Sequence, residues 1–349
     1  MRVDVFTAGM YEGDGVAFDA LTIRDTLRAW GAESTLYTDH AHASPWARRI
    51  APHFADFGAA ARRHPPAAVI YEYSSLSPVT RFLLGRGEPL LLRYQNVTPP
   101  GFFEPYDAEM AARLSAARAE LALLAGRAAA GIPPSSFNAA EAAACGLPHG
   151  TVVPNFVRMP PFRPRPYDPA EPRLLFVGRV APNKCQHHLV QMAGALARAG
   201  LPGLTLSLVG SPHGCPRYAM IVERLAAQAG NVRMIGHMAD PLAAYAGADL
   251  FVSASEHEGF CMPLVEAMTA GVPVLAHAAC AVPETVGGGG IVFRGKNLPE
   301  MVELVSGLLG DPARMEQLRC AGARRALDFT HERVGAALRR ALADAGVRV

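Results

Sequence analysis

The chain of 349 residues has little charge, few aromatics and no paired cysteines, and each shortage excludes something. Charged residues make up 18% of it and aromatic ones 7%, against 50% apolar, the reverse of a disordered composition. Lysine plus arginine number 33 and aspartate plus glutamate 31, a balance too even for a nucleic-acid-binding surface. Six cysteines (Cys145, Cys185, Cys215, Cys261, Cys280, Cys320) form no Cys-x-x-Cys pair, which points to reduced thiols in a cytosolic protein. No apolar run approaches the roughly 20 residues of a membrane span. Met1-Arg-Val-Asp-Val-Phe leads into a strand pattern without the marks of a secretory signal. The expected location is the cytoplasm, with peripheral contact at the inner face of a membrane left open. No Asp-x-Asp occurs, and His40 with His42, and His187 with His188, lack partners at zinc-like spacing, so no metal site is expected.

What is present is a long alternation of short apolar runs with helical patterns, which argues for parallel α/β sheets. In the first half, residues 3–7, 34–38, 68–73, 90–94 and 151–153 read as strands. Helices are expected over 16–30, from Trp46, from Val79 and over 107–127. The loop after the first strand carries Gly9, Gly13 and Gly15, and glycine lets backbone approach a phosphate closely. Ligands on such sheets lie beyond the strand carboxyl ends, which directs attention to Glu72-Tyr73 and Gln95. Arg113, Arg118 and Arg127 on the long helix are candidates for anionic lipid, set against an ordinary surface helix. Between 154 and 172 stand seven prolines in nineteen residues, a composition that reads as an interdomain linker.

The second half opens with an apolar strand over 173–177, then Gly178-Arg179 and Lys184, then a helix from Gln186. A glycine and two cations before a helix N-terminus suit a phosphate: Arg179 offers a planar fork and Lys184 a point charge. Further on, Leu250 to Val252 form a buried-type strand, Ser253 to Gly259 a polar loop, and Pro263 opens a helix that Gly271 ends. Glu258 and Glu266 therefore flank one helix N-terminus. Carboxylates repel phosphate, so they should face hydroxyls: a sugar on one side of a diphosphate and a ribose on the other. A solvated loop glutamate and a surface-helix glutamate would give the same spacing. The four glycines from Gly287 lack Lys-Ser/Thr and read as a turn.

Glu258, Gly259, Phe260, Pro263, Glu266, Ala267, Met268, Gly271, Pro273 and Val274, with Gly178-Arg179 and Lys184 upstream, resemble the signature of retaining family-4 glycosyltransferases, the glycosyltransferases group 1. The resemblance implies an α/β chain of GT-B fold, two Rossmann-like parallel-sheet domains facing across a cleft. An acceptor-side domain would span 1–155, the proline-rich linker 156–172, a nucleotide-sugar-binding domain 173–328, and a terminal helix over 329–349 would cross back to the first domain. It also implies roles. Glu266 binds the donor ribose, and Glu258 faces the donor sugar. Arg179 and Lys184, beside Gly178, neutralise the diphosphate and the charge that grows as it leaves. Gly259, Phe260, Cys261, Met262 and Leu264 lie near sugar and phosphate, Gly13 and Asp14 approach the donor, and His237 with Met238 line the nucleobase. The donor would be a UDP- or GDP-type sugar, needing neither cofactor nor metal, and the acceptor a saccharide, glycolipid or polysaccharide precursor. Cys261 stands where such sequences usually have Gly, Phe156 replaces the Gly expected after Pro154-Asn155, and Glu72 and Gln95 occupy positions where relatives often carry His. Two other readings share the fold: a nucleotide-sugar 2-epimerase, and a binding protein without turnover.

Overall fold

The computed structural model describes residues 1–147, 150–212, 214–238 and 240–349. Two compact units emerge, one of Met1–Pro100, Glu109–Val157 and Phe329–Val349, the other of Gly101–Ala108 and Arg158–Asp328. The first unit contains β1 (Val3–Thr7), α1 (Gly15–Ala29), β2 (Leu36–Thr38), α2 (Pro45–Ile50), α3 (Phe57–Arg63), β3 (Ala68–Tyr73), α4 (Pro78–Leu84), β4 (Leu90–Tyr94), α5 (Ala108–Arg127), β5 (Ala130–Gly131) and α6 (Ser136–Ala144). The second contains β6 (Arg173–Val177), α7 (Gln186–Arg198), β7 (Thr205–Val209), α8 (Pro216–Ala229), β8 (Val232–Gly236), α9 (Leu242–Tyr245), β9 (Leu250–Ser253), α10 (Met262–Ala270), β10 (Val274–His277), α11 (Val282–Val286), β11 (Ile291–Phe293), α12 (Leu298–Leu309) and α13 (Pro312–Ala326). The last helix, α14 (His331–Asp344), returns to the first unit.

Both sheets are parallel, with strand orders β2-β1-β3-β4-β5 and β11-β10-β9-β6-β7-β8. The first is buried on both faces. Val3, Val5, Ala68 and Ile70 meet α1 and α14 (Ala20, Ile23, Leu338, Leu342), whereas Phe6, Val69, Tyr71 and Tyr73 meet α5 (Ala117, Leu121, Leu124). A strand with apolar groups at every position, not every second one, is what a doubly covered parallel sheet requires. In each sheet the order reverses once, between β1 and β3 and between β6 and β9. The loops after such strands diverge and leave a crevice at their carboxyl ends.

Several expectations change. Residues 151–153 form no strand: Val153 N–H bonds only the Pro133 carbonyl, and Pro154 has no N–H to continue. The strand expected over 34–38 is confined to Leu36–Thr38. The segment Gly101–Ala108, expected in the first domain, clusters with the second unit, where Phe102 lies against His257 (ring centroids 6.2 Å apart) and Tyr106 against Tyr218 (5.4 Å). Phe156 is fully buried in the core of the first unit, which explains a phenyl ring where a glycine was expected.

The rest of the proline-rich stretch is no free linker. Arg165 pairs with Asp249 at 3.2 Å, Arg163 N–H donates to the Ala270 carbonyl, and the Tyr167 hydroxyl donates to the Leu309 carbonyl at 2.5 Å. On α5, Arg118 is committed to the Val97 carbonyl (2.7 Å) and Glu141 (2.9 Å), and Arg127 to the carbonyls of Arg86 and Glu88. Arg118 and Arg127 thus brace the first unit, whereas Arg113 is exposed.

Where β6 and β7 end, the backbone turns so tightly that a Cβ at Gly210, whose φ is +148°, would lie 2.0 Å from the Gly178 carbonyl oxygen. Gly210→Ala is therefore expected to destabilise the protein by roughly 1–3 kcal/mol in urea denaturation. An unchanged midpoint would mean that this turn has slack.

Candidate active site

The crevice between β6 and β9 is bounded by residues 178–185 after β6 and 254–261 after β9. Backbone and side chains lace the two loops together. Glu256 N–H donates to the Asn183 carbonyl at 2.8 Å, and Asn183 Nδ2 donates to the His257 carbonyl at 3.2 Å. Lys184 Nζ then reaches Glu258 Oε2 at 2.7 Å. The Lys184 side chain is 18% exposed and that of Glu258 9%, so the pair is shielded enough for its attraction to exceed that of a surface bridge. Arg179, on the same loop, is exposed, and its guanidinium has no partner among the described residues.

After β9 the chain turns at Cys261 with φ +68° and enters α10 with Pro263 in its first turn. Cys185 (φ +53°) and Cys280 (φ +51°) adopt the same left-handed backbone. Three cysteines thus occupy conformations that normally select glycine, which locates the site's strain in its loops. Burial pushes the Cys261 thiol up, and the Glu258 charge adds to the shift. The Leu264 N–H is taken by the Cys261 carbonyl, so any Leu264 contact with a ligand must come from another atom.

Glu266, in α10, is 3% exposed. Its Oε2 accepts from the Tyr245 hydroxyl at 2.7 Å, and Arg158 Nη1 lies 3.8 Å from its Oε1. Burial raises its carboxyl above the usual range; the Tyr245 hydrogen bond and the Arg158 charge work against that. Among the other named residues, Met238 lines a cavity of about 580 Å³ over β6, β7 and β8, and His237 is exposed. Gly13 has φ +79°, which glycine alone adopts freely, while the Asp14 side chain caps α1 by accepting from Ala17 N–H at 3.1 Å. Glu72 and Tyr73 have no exposed surface, so neither offers an acceptor a contact here; Gln95 is partly exposed.

Sequence reasoning missed Tyr245 and Arg158, which hold Glu266, and Lys296. The Lys296 ammonium bonds the Glu256 carboxylate, the Ala254 carbonyl at 3.3 Å and Cys185 Sγ at 3.5 Å, clamping both loops from outside. An arginine in a proline-rich stretch and a lone lysine after a glycine carry no spacing signal. Only the fold reveals them.

Residues 171–311 match the family model "Glycosyl transferases group 1". The matched residues all lie within the second unit. Similar curated proteins include a D-inositol 3-phosphate glycosyltransferase of Nocardia farcinica, 31% identical over 46% of this chain and 38% of its own length. A GDP-mannose-dependent monoacylated alpha-(1-6)-phosphatidylinositol monomannoside mannosyltransferase of Corynebacterium glutamicum is 32% identical over 41% and 39%. The chain spans about two fifths of the length of these relatives. Solved structures match throughout and show the GT-B fold. Sucrose-phosphate synthase of Thermosynechococcus elongatus gives a TM-score of 0.77 at 18% identity, covering 98% of both chains. HepE of Anabaena, in complex with UDP and glucose, gives 0.76 at 16% identity, covering 99% of this chain and 100% of its own.

The shielded pair at the crevice makes a testable demand on stability. Lys184→Met should cost about 1–3 kcal/mol by leaving Glu258 without its cation. Adding Glu258→Gln should recover part of that, with a coupling of roughly 0.5–3 kcal/mol in a double-mutant cycle. Strictly additive losses would show that the two groups do not sense each other.

Proposed function

We propose that the protein is a metal-independent, retaining glycosyltransferase that moves a sugar from a nucleotide-diphosphate sugar to a hydroxyl of a saccharide, glycolipid or polysaccharide precursor. The observation that carries this reading is the Lys184–Glu258 pair at the crevice of a domain that matches the group 1 glycosyltransferases, with Glu266 about one turn into the helix that follows. Arg179 and Lys184 supply the positive charge that a departing diphosphate needs, at the place where a metal ion would otherwise stand. Glu258 takes the sugar hydroxyls and Glu266 the ribose, which it meets with Oε1 while Tyr245 retains Oε2.

In the reaction the anomeric carbon–phosphate oxygen bond breaks and the acceptor oxygen bonds the same carbon on the same face. The acceptor proton passes to the departing phosphate oxygen. Gln95, partly exposed at the carboxyl end of β4, serves the acceptor side. Relatives named for GDP-mannose dependence, and a neighbour solved with UDP and glucose, support a UDP- or GDP-type donor.

A thermal-shift panel of UDP- and GDP-sugars tests this. One donor should raise the melting temperature by mass action, in EDTA as well as without it. Glu266→Ala should weaken that donor about 10- to 150-fold through loss of a charge-assisted contact worth roughly 1.5–3 kcal/mol. No shift with any donor, a shift abolished by EDTA, or unchanged affinity in the variant would each contradict the corresponding part.

A further inference from the structure

Beneath Gln95 lies a polar cluster that donor chemistry leaves unused. Arg93 on β4, Asp19 on α1 and Glu72 on β3 have no exposed surface. Every N–H of the Arg93 guanidinium is committed. Nε donates to Asp19 Oδ2 at 2.7 Å, Nη1 to the carbonyls of Ile132 and Val153, and Nη2 to the Pro154 carbonyl and Asn155 Oδ1. Glu72 Oε1 lies 3.1 Å from Arg93 Nε, but that hydrogen already belongs to Asp19, and Glu72 Oε1 has no hydrogen-bond partner.

Gln95 shows a second shortage. Its Nε2 carries two hydrogens and faces three oxygens, Asp19 Oδ2 at 2.8 Å, Glu72 Oε2 at 2.6 Å and Asn155 Oδ1 at 2.9 Å. Its Oε1 meanwhile accepts from Asn155 Nδ2 at 3.0 Å. Two buried carboxyl groups thus share one guanidinium, and the oxygens around Gln95 outnumber its hydrogens. A single added proton removes both deficits, and Glu72 Oε1, the oxygen without a donor, marks which carboxyl carries it.

We infer that Glu72 is held as a neutral carboxylic acid beside Asp19, and that its proton positions the Gln95 carboxamide with its nitrogen inward. Burial drives the Glu72 carboxyl well above its ordinary range, and Asp19 from α1 adds to this; Arg93 from β4 and the Gln95 hydrogen bond oppose it. Glu72 is then a positioning residue. It acts through Gln95, while Asp19 Oδ1, accepting from Phe156 N–H at 2.7 Å, ties the same cluster to the chain that leaves the first unit. The kinetic consequence rests on the acceptor-side reading of Gln95; the proton itself does not.

Melting temperatures of the wild type and Glu72→Gln, followed from about pH 4.5 to pH 8.5, test the proton. A carboxyl raised by folding stabilises fully below its unfolded value, and that contribution is lost as pH rises through the folded value. The wild type should therefore fall behind Glu72→Gln as pH rises. An ionised Glu72 paired with Arg93 gives the opposite: a variant that is less stable at neutral pH, the gap closing on acidification. That result overturns the proposal.

A wild-type minus Glu72→Gln infrared difference spectrum at neutral pH should contain the stretch of a protonated carboxyl, and a carboxylate band in its place also overturns it. With any donor and acceptor found active, the alkaline loss of kcat/KM in the wild type should be absent from Glu72→Gln; identical profiles refute the positioning role. Should no pair be active, the transfer reading fails while the melting and infrared results still decide where the proton is.

Discussion

The Lys184–Glu258 ion pair is the contact on which the site depends. It spans the one place in the second sheet where strand order reverses, joining the loop after β6 to the loop after β9. Apart from one 3₁₀ turn at Pro182–Lys184, neither loop has regular structure to hold it. Their shape comes from the Asn183 bonds, from the pair itself and from Lys296 behind it. Without the pair, a carboxylate that is nearly buried would lack a counter-charge, and a loop with left-handed cysteines at its hinges would have less reason to keep its strain.

The two units use charge differently. In the second, cations and carboxylates meet at a crevice, and Arg179 is exposed with no partner among the described residues. In the first, Arg93 is wholly enclosed and its N–H groups are satisfied by one carboxylate, three carbonyls and an amide oxygen. Such a cluster adds little net stability over apolar packing but fixes geometry, since any displaced member leaves a buried polar atom unpaired.

Much of this was legible in the amino-acid order. Runs such as 3–7, 68–73 and 250–252 announce doubly covered strands because both faces are apolar, and Pro263 with Gly271 brackets α10 by backbone chemistry alone. The helix α8 escaped notice because Met220 and Ile221 are exposed, at 67% and 44%, which blurs its apolar stripe. Strand β5 has two residues and no pattern to find. The roles of Asp19, Arg93 and Glu72 were hidden for another reason. Asp19 and Arg93 are 74 positions apart, and nothing local distinguishes a buried ion pair from a helix aspartate and a strand arginine. Glu72 illustrates the limit: its place at a strand end was read correctly, yet its complete burial could come only from the fold.

The central claim is that Arg179 and Lys184 receive a diphosphate. Calorimetry of a nucleoside diphosphate against the matching monophosphate tests it directly. The wild type should bind the diphosphate at least about tenfold more tightly, near the 1.4 kcal/mol of one added charge-assisted contact, and Arg179→Gln should lose most of that difference. Equal affinities for the two nucleotides, or an increment that survives in Arg179→Gln, would contradict the account.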